Sequence, residues 1–169
     1  MRSLFSILSI VLSVHTGNAQ HHTLAIGQTA PVISLPSLKD GIITLSSLKG
    51  KLVLVDFWAS WCAPCVKEQP VLKSLYEKFG DQVDAGKLEI LGVSLDRSRE
   101  NWLKAINKYQ ITWLQASDLK YWNSPVAKAY GISELPYNVI VNGEGKVVAI
   151  NLHGKELEAF IDNYFRSKK

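Results

Sequence analysis

The chain is poor in cysteine. Cys62 and Cys65 are the only two in 169 residues, too few for a closed four-thiolate zinc site, and no histidine pair at ligand spacing stands near them. Attachment of a c-type haem is excluded too, because Val66 rather than histidine follows the second cysteine. Charge of one sign is in small excess: 19 Lys and Arg against 15 Asp and Glu give a formal +4. The basic residues are scattered, which fits a solvated surface rather than a nucleic-acid partner. There is no internal repeat and no low-complexity segment. With 47% hydrophobic residues, the length supports one core and one compact domain.

The N-terminal apolar run, Leu4 to Val14, falls well short of the ~20 residues that a bilayer-spanning helix needs. It follows Arg2 and precedes the small residues Gly17 and Ala19, the pattern of a secretory signal peptide cleaved after Ala19. No cysteine follows the run, so a lipid-modified mature end is excluded. Residues 1–19 are thus expected to be a signal, 20–25 a flexible start and 26–169 the folded domain. The mature protein is expected in an exported, disulfide-permissive compartment such as the periplasm.

Short apolar stretches punctuated by Gly and Pro predict a two-stranded N-terminal element turning at Asp40-Gly41. The run 51–59, KLVLVDFWA, reads as a strand buried on both faces. A helix is expected from Ala63 to Phe79, with Pro70 inside it and Gly80 closing it. A second buried strand follows at 88–95, then a helix over 98–109, an extended ITWLQAS and a short helix at 124–130. Segments 137–142 and 146–151 form a hairpin about Gly143-Glu144-Gly145, and a last helix covers Lys155 to Phe165. Strands alternating with helices, then a hairpin and a final helix, give an α/β fold with a mixed central sheet.

A disulfide between cysteines three apart constrains the unfolded chain little, so stability is a poor reason for the pair. Redox exchange accounts for it better. At a strand-to-helix junction, Cys62 lies by the unsatisfied N–H groups of the helix start, which favour thiolate over thiol. Cys65, one turn in, is placed to resolve a mixed disulfide. Pro64 is tolerated in a first helical turn. Asp56, inside an apolar strand, reads as the base that takes the Cys65 proton; the alternative is a solvated carboxylate at a strand end. Trp58 and Trp61 read as packing and cover for the pair.

VLVDFWASWCAPC, Pro70 and the later AKAYGISELPYNVIVNGEGKVVAINLHG resemble the thioredoxin superfamily. The N-terminal stretch IGQTAPVISLPSLKDGIITLSSLKGK resembles the extension shared with peroxiredoxin-like proteins. With an extra segment at about 97–122, the whole of 26–167 resembles exported TlpA/ResA-like thiol-disulfide oxidoreductases. The resemblance implies a thioredoxin fold with an N-terminal β-hairpin extension. It implies Cys62 as nucleophile, Cys65 as resolving cysteine, Asp56 as the buried acid and Pro136 as a cis-proline facing the pair. Leu135, Pro136 and Trp61 then belong to the substrate-binding surface, Leu135 through strand-like backbone pairing. It further implies protein disulfides and thiols as substrates, a membrane-bound electron donor and no metal or organic cofactor. Clients would be apocytochrome c or a broader set.

Departures from the pattern are Glu134-Leu135-Pro136-Tyr137 in place of Gly-x-Pro-Thr, and Gly92 where thioredoxins often carry a lysine near the acid. Without that cation, desolvation alone would raise the proton affinity of Asp56. Glu68 is either a counterpart of an acidic residue common in this branch or part of a solvated face, and Lys67 is equally open. No role is assigned to His15, His21, His22 or His153. Trp102, Trp113 and Trp122 read as core or lid packing. Two other functions compete: a peroxide reductase, against which Cys62 at the Thr/Ser position of Thr/Ser-x-x-Cys argues, and a non-catalytic binding module, which would be expected to have lost a cysteine.

Overall fold

The structure, a computed structural model, describes residues 24–39 and 41–167. The expected signal, Asp40 and the histidines at 15, 21 and 22 lie outside the described residues. At the centre is β3 (Leu52–Trp58), every residue of which is buried. Its β-branched and aromatic side chains fill both faces of the sheet, each contributing roughly 1.5–3 kcal/mol when fully buried. β3 pairs in parallel with β4 (Leu88–Ser94) and antiparallel with β6 (Tyr137–Val141). β5 (Leu114–Ala116) and β7 (Val147–Ile150) complete a sheet of order β5-β4-β3-β6-β7. This is the thioredoxin fold, with the expected mixed sheet.

The extension forms a separate antiparallel pair, β1 (Ser34–Pro36) with β2 (Ile42–Thr44). Residues 27–38 also run across the molecule from one sheet margin to the other. At the β7 margin, the Gly27 N–H donates to the Val147 carbonyl (2.8 Å) and the Ala30 N–H to that of Gly145 (2.9 Å). At the β5 margin, the Leu38 N–H donates to the Gln115 carbonyl (3.0 Å) and the Ser117 N–H to that of Pro36 (3.1 Å). Midway, the Tyr130 hydroxyl donates to the Pro31 carbonyl (2.8 Å).

Helix α1 (Ala63–Lys78) buries Cys65, Gln69, Leu72 and Leu75 on one face, the spacing an amphipathic helix requires. Pro70 is on its exposed side, where water can take the place of the lost backbone donor. Gly80 does not close the helical region. The chain bends at Phe79, and Gly80 opens a short helix, α2 (Gly80–Asp84). The glycine that takes a left-handed conformation there is Gly86 (φ +67°), where a Cβ would be strained. Helix α3 (Arg99–Tyr109) is capped by Ser98, whose Oγ accepts from the Asn101 N–H (3.2 Å). α4 (Pro125–Ala129) and α5 (Gly154–Arg166) follow, and α1 packs beside both α3 and α5.

Candidate active site

The last residues of β3 lead through Ala59-Ser60-Trp61 into Cys62, the residue that caps α1. Cys62 and Cys65 are joined by a disulfide of 2.03 Å with Cα atoms 5.2 Å apart. The Cys62 sulfur accepts from the Cys65 N–H at 3.3 Å, so it stands where free helical N–H groups favour an anionic sulfur once the bond is reduced. Both sulfurs are screened from water, Cys65 more completely: relative exposure is 5% for Cys62 and 1% for Cys65. The gradient is the one that the expected attacking role of Cys62 and resolving role of Cys65 call for.

Asp56 is buried in β3, not solvated at a strand end. Burial pushes its carboxyl up to about 7, the negative charge of Glu68 adds to the rise, and a contact from Gln69 opposes it. Its cross-strand neighbours, Gly92 on β4 and Asn138 on β6, carry no charge. The room beside Gly92 is taken by the Gln115 side chain, whose Nε2 would lie 2.2 Å from a Cβ built on the glycine. The Oε1 of Gln115 accepts from the Trp58 indole N–H (3.1 Å). A neutral amide thus stands where the resemblance led us to look for a lysine. Gln69 links base and cysteine: its Nε2 is 3.5 Å from both Asp56 Oδ2 and the Cys65 carbonyl, long contacts at the limit of hydrogen bonding.

The Leu135-Pro136 peptide is cis and leads directly into β6, whose Tyr137 is opposite Phe57. That register brings Leu135 and Pro136, both half-buried, to the end of the sheet from which Cys62 departs. Trp61 is 45% exposed and packs against Tyr121 (ring centroids 5.0 Å) and Trp122 (6.1 Å). The Arg97 guanidinium lies 4.3 Å from the centre of the Tyr121 ring. Trp102 and Trp113 are buried core residues. Lys67 and Glu134 are exposed, and Tyr137 is half-buried.

Sequence reasoning missed two polar arrangements. Buried Asp96 holds the loop ahead of Cys62: its Oδ1 accepts from the Ser60 hydroxyl (2.5 Å), and its Oδ2 from the Ser60 N–H (3.0 Å) and the Ser94 hydroxyl (2.7 Å). The Ser94-x-Asp96 spacing at the end of a buried strand was a usable signal. Glu68 is not on a solvated face: its Oε1 is 2.7 Å from His153 Nδ1. Among the described residues, no group of three or more His, Cys, Asp or Glu side chains could hold a metal ion.

A thioredoxin-like family model matches residues 50–147. The thiol-disulfide oxidoreductase ResA of Bacillus subtilis is 32% identical over 146 residues, covering 86% of this chain and 77% of that protein. ResA of Bacillus thuringiensis is 28% identical over 148 residues, covering 88% and 81%. Among solved structures, the thioredoxin domain of a thiol-disulfide oxidoreductase from Bacteroides vulgatus superposes with a TM-score of 0.77 at 38% identity, covering 84% of this chain and 99% of that one. A thiol-disulfide oxidoreductase from Bacteroides fragilis gives 0.76 at 32% identity, covering 81% and 99%. Family model, relatives and redox pair agree: the chain belongs to the thioredoxin-like family, as a TlpA/ResA-like thiol-disulfide oxidoreductase acting on protein thiols and disulfides.

Proposed function

We propose that this oxidoreductase works outside the cytoplasm as a reductant of protein disulfides, with residues 1–19 as its cleaved leader, 20–25 as a spacer and 26–169 as the redox domain. The observation that carries the chemistry is the pairing of a cysteine disulfide at the start of α1 with Asp56 buried in β3 and held near neutrality. In the reduced enzyme, the Cys62 thiolate attacks one sulfur of a substrate disulfide, and the other substrate sulfur leaves as a thiolate. Asp56 takes the proton of Cys65. The Cys65 thiolate then attacks the Cys62 sulfur, releases the second substrate sulfur and forms the Cys62–Cys65 bond. One electron pair passes from enzyme to substrate, and two thiols suffice to carry it, without metal or organic cofactor.

Trp61 with Leu135 and Pro136 forms the surface on which the substrate polypeptide is laid, Leu135 offering backbone pairing. Re-reduction requires an electron donor, which for an exported enzyme we place in the membrane. Proteins matured with reduced cysteine pairs, apocytochrome c among them, are the client class. The test is the reduction potential of residues 20–169 in graded thiol buffers, read through tryptophan fluorescence. A midpoint near the thioredoxin value of about −270 mV supports the reductant, and one near about −120 mV makes it an oxidant instead. A chain that shows no reversible two-electron couple would be a binding module.

A further inference from the structure

Glu68 follows Cys65 by three positions on α1, and its side chain is only 13% exposed. A carboxylate so placed prefers water unless something holds it. The group that holds it is His153, 85 residues later in the chain. A carboxylate only accepts, so the imidazole Nδ1 carries the proton of this 2.7 Å contact. On the ring's other side Nε2 lies 3.0 Å from the Asn151 side-chain amide, which holds the neutral ring when turned so that its NH2 donates. Although His153 stands at the cap position of α5, its side chain makes no capping bond to that helix. It serves Glu68 instead.

The loop that presents His153 is fixed from the strand beside the catalytic acid. Asn138, opposite Asp56, donates from Nδ2 to the Leu152 carbonyl (2.6 Å) and accepts at Oδ1 from the Leu152 N–H (3.1 Å). The Asn138 carbonyl accepts from the Asn151 N–H at 2.7 Å. Asn151 itself takes a positive φ of 55°, a left-handed conformation that asparagine tolerates better than most residues. Position 153 is thereby tied to the register of β6 against β3. Of the groups around Asp56, Gly92 from β4 and Asn138 from β6 are uncharged, and α1 supplies Gln69, Cys65 and the one charge, Glu68.

We propose that His153 is a positioning residue for the second half of the cycle: it keeps the Glu68 carboxylate inward on α1, out of the solvent, while Asp56 takes the Cys65 proton. This rests on the exchange mechanism proposed above. Without the imidazole, Glu68 is free to turn into water, where its charge is screened and no longer acts on the acid. The histidine acts by orientation, so an uncharged donor at the same place should do its work. Asparagine, whose Nδ2 sits at the position of Nδ1, is the conservative replacement.

The test compares wild type, His153→Ala and His153→Asn by stopped flow, with a model peptide disulfide as substrate, from pH 5 to 9. A Cys65→Ser background stops each at the mixed disulfide and isolates attack by Cys62. We expect His153→Ala to leave that attack unchanged and to slow resolution about three- to tenfold at pH 8.5, where Asp56 is ionised in both proteins and its lost basicity sets the difference. The pH profile of resolution should move to lower pH, and His153→Asn should restore both rate and profile to within about twofold. Wild-type resolution and an unmoved profile in His153→Ala would overturn the inference while leaving the mechanism standing. So would equal slowing of both half-reactions, or failure of His153→Asn to rescue a folded protein. A wild type unable to exchange disulfides at all would instead overturn the mechanism.

Discussion

An acid raised to near neutrality takes up and releases protons in the range where thiol exchange runs, and at Asp56 that same property is a cost to folding. The unfolded carboxyl titrates at its ordinary value of 3.8, the folded one at about 7. The folded state therefore binds the proton more tightly, and the stabilisation it brings, complete at low pH, fades as pH rises from about 4 through 7. Asp56→Asn removes the penalty. Urea unfolding at pH 8 should show the variant more stable by up to about 4 kcal/mol, with little difference at pH 4. Resolution of the mixed disulfide should meanwhile fall by about 100-fold and lose its pH dependence near neutrality. The Cys62–Cys65 pair and the burial of Asp56 were legible as local chemistry, a spacing and a carboxylate in an apolar run, and the cis bond before Pro136 through the family resemblance. Glu68 and His153 were not legible as a pair, because each reads in sequence as an ordinary polar residue of its own segment and only the packing of α1 beside the start of α5 joins them.

The strand-to-helix junction is where elements meet the chemistry. Asp96 ties the loop between β3 and α1 to the end of β4, satisfying both the backbone and the hydroxyl of Ser60. Asp96→Ala leaves these half-buried donors, and the buried Ser94 hydroxyl, without their acceptor. A loss of about 2–4 kcal/mol in urea unfolding is expected, together with a changed rate of attack by Cys62. On the other side of β4, the missing side chain of Gly92 makes room for Gln115. Gly92→Ala should cost about 1–3 kcal/mol by forcing Gln115 off Trp58. Combined with Gln115→Ala, the two losses should sum to clearly less than their separate values, as a double-mutant cycle will show. The strands of the central sheet were readable because burial on both faces leaves continuous apolar runs. Gly80 misled because a glycine in sequence does not disclose its φ; the left-handed turn belongs to Gly86, six residues on. Two short 3-10 segments, Leu45–Leu48 and Tyr121–Asn123, leave no periodic signal at all, yet the second carries both rings that pack on Trp61.

Across the whole molecule, the N-terminal extension closes what the sheet leaves open. β5 and β7 are edge strands with backbone groups to satisfy, and residues 27–38 cover part of each. Deleting residues 24–33 uncovers the β7 margin, removes the buried Ile33 and leaves the Tyr130 hydroxyl without the Pro31 carbonyl. The truncated chain should lose about 2–5 kcal/mol, melt roughly 5–15 °C lower and scatter light on heating, as a thermal scan with a scattering channel will record. The sequence announced this extension as a two-stranded element. That it spans both margins was not readable, since bridges such as Thr29 with Lys146 and Ser37 with Ala116 join segments more than seventy residues apart. The arrangement also has a mechanical side. A pull on the N-terminal end first loads the hydrogen bonds from Gly27 and Ala30 to the β6–β7 hairpin, and the tension passes into that hairpin before it reaches β3. The strand that aims Cys62 is thereby loaded last, and a copy of this domain tethered by its leading end would give way at its margin before its sulfurs left register.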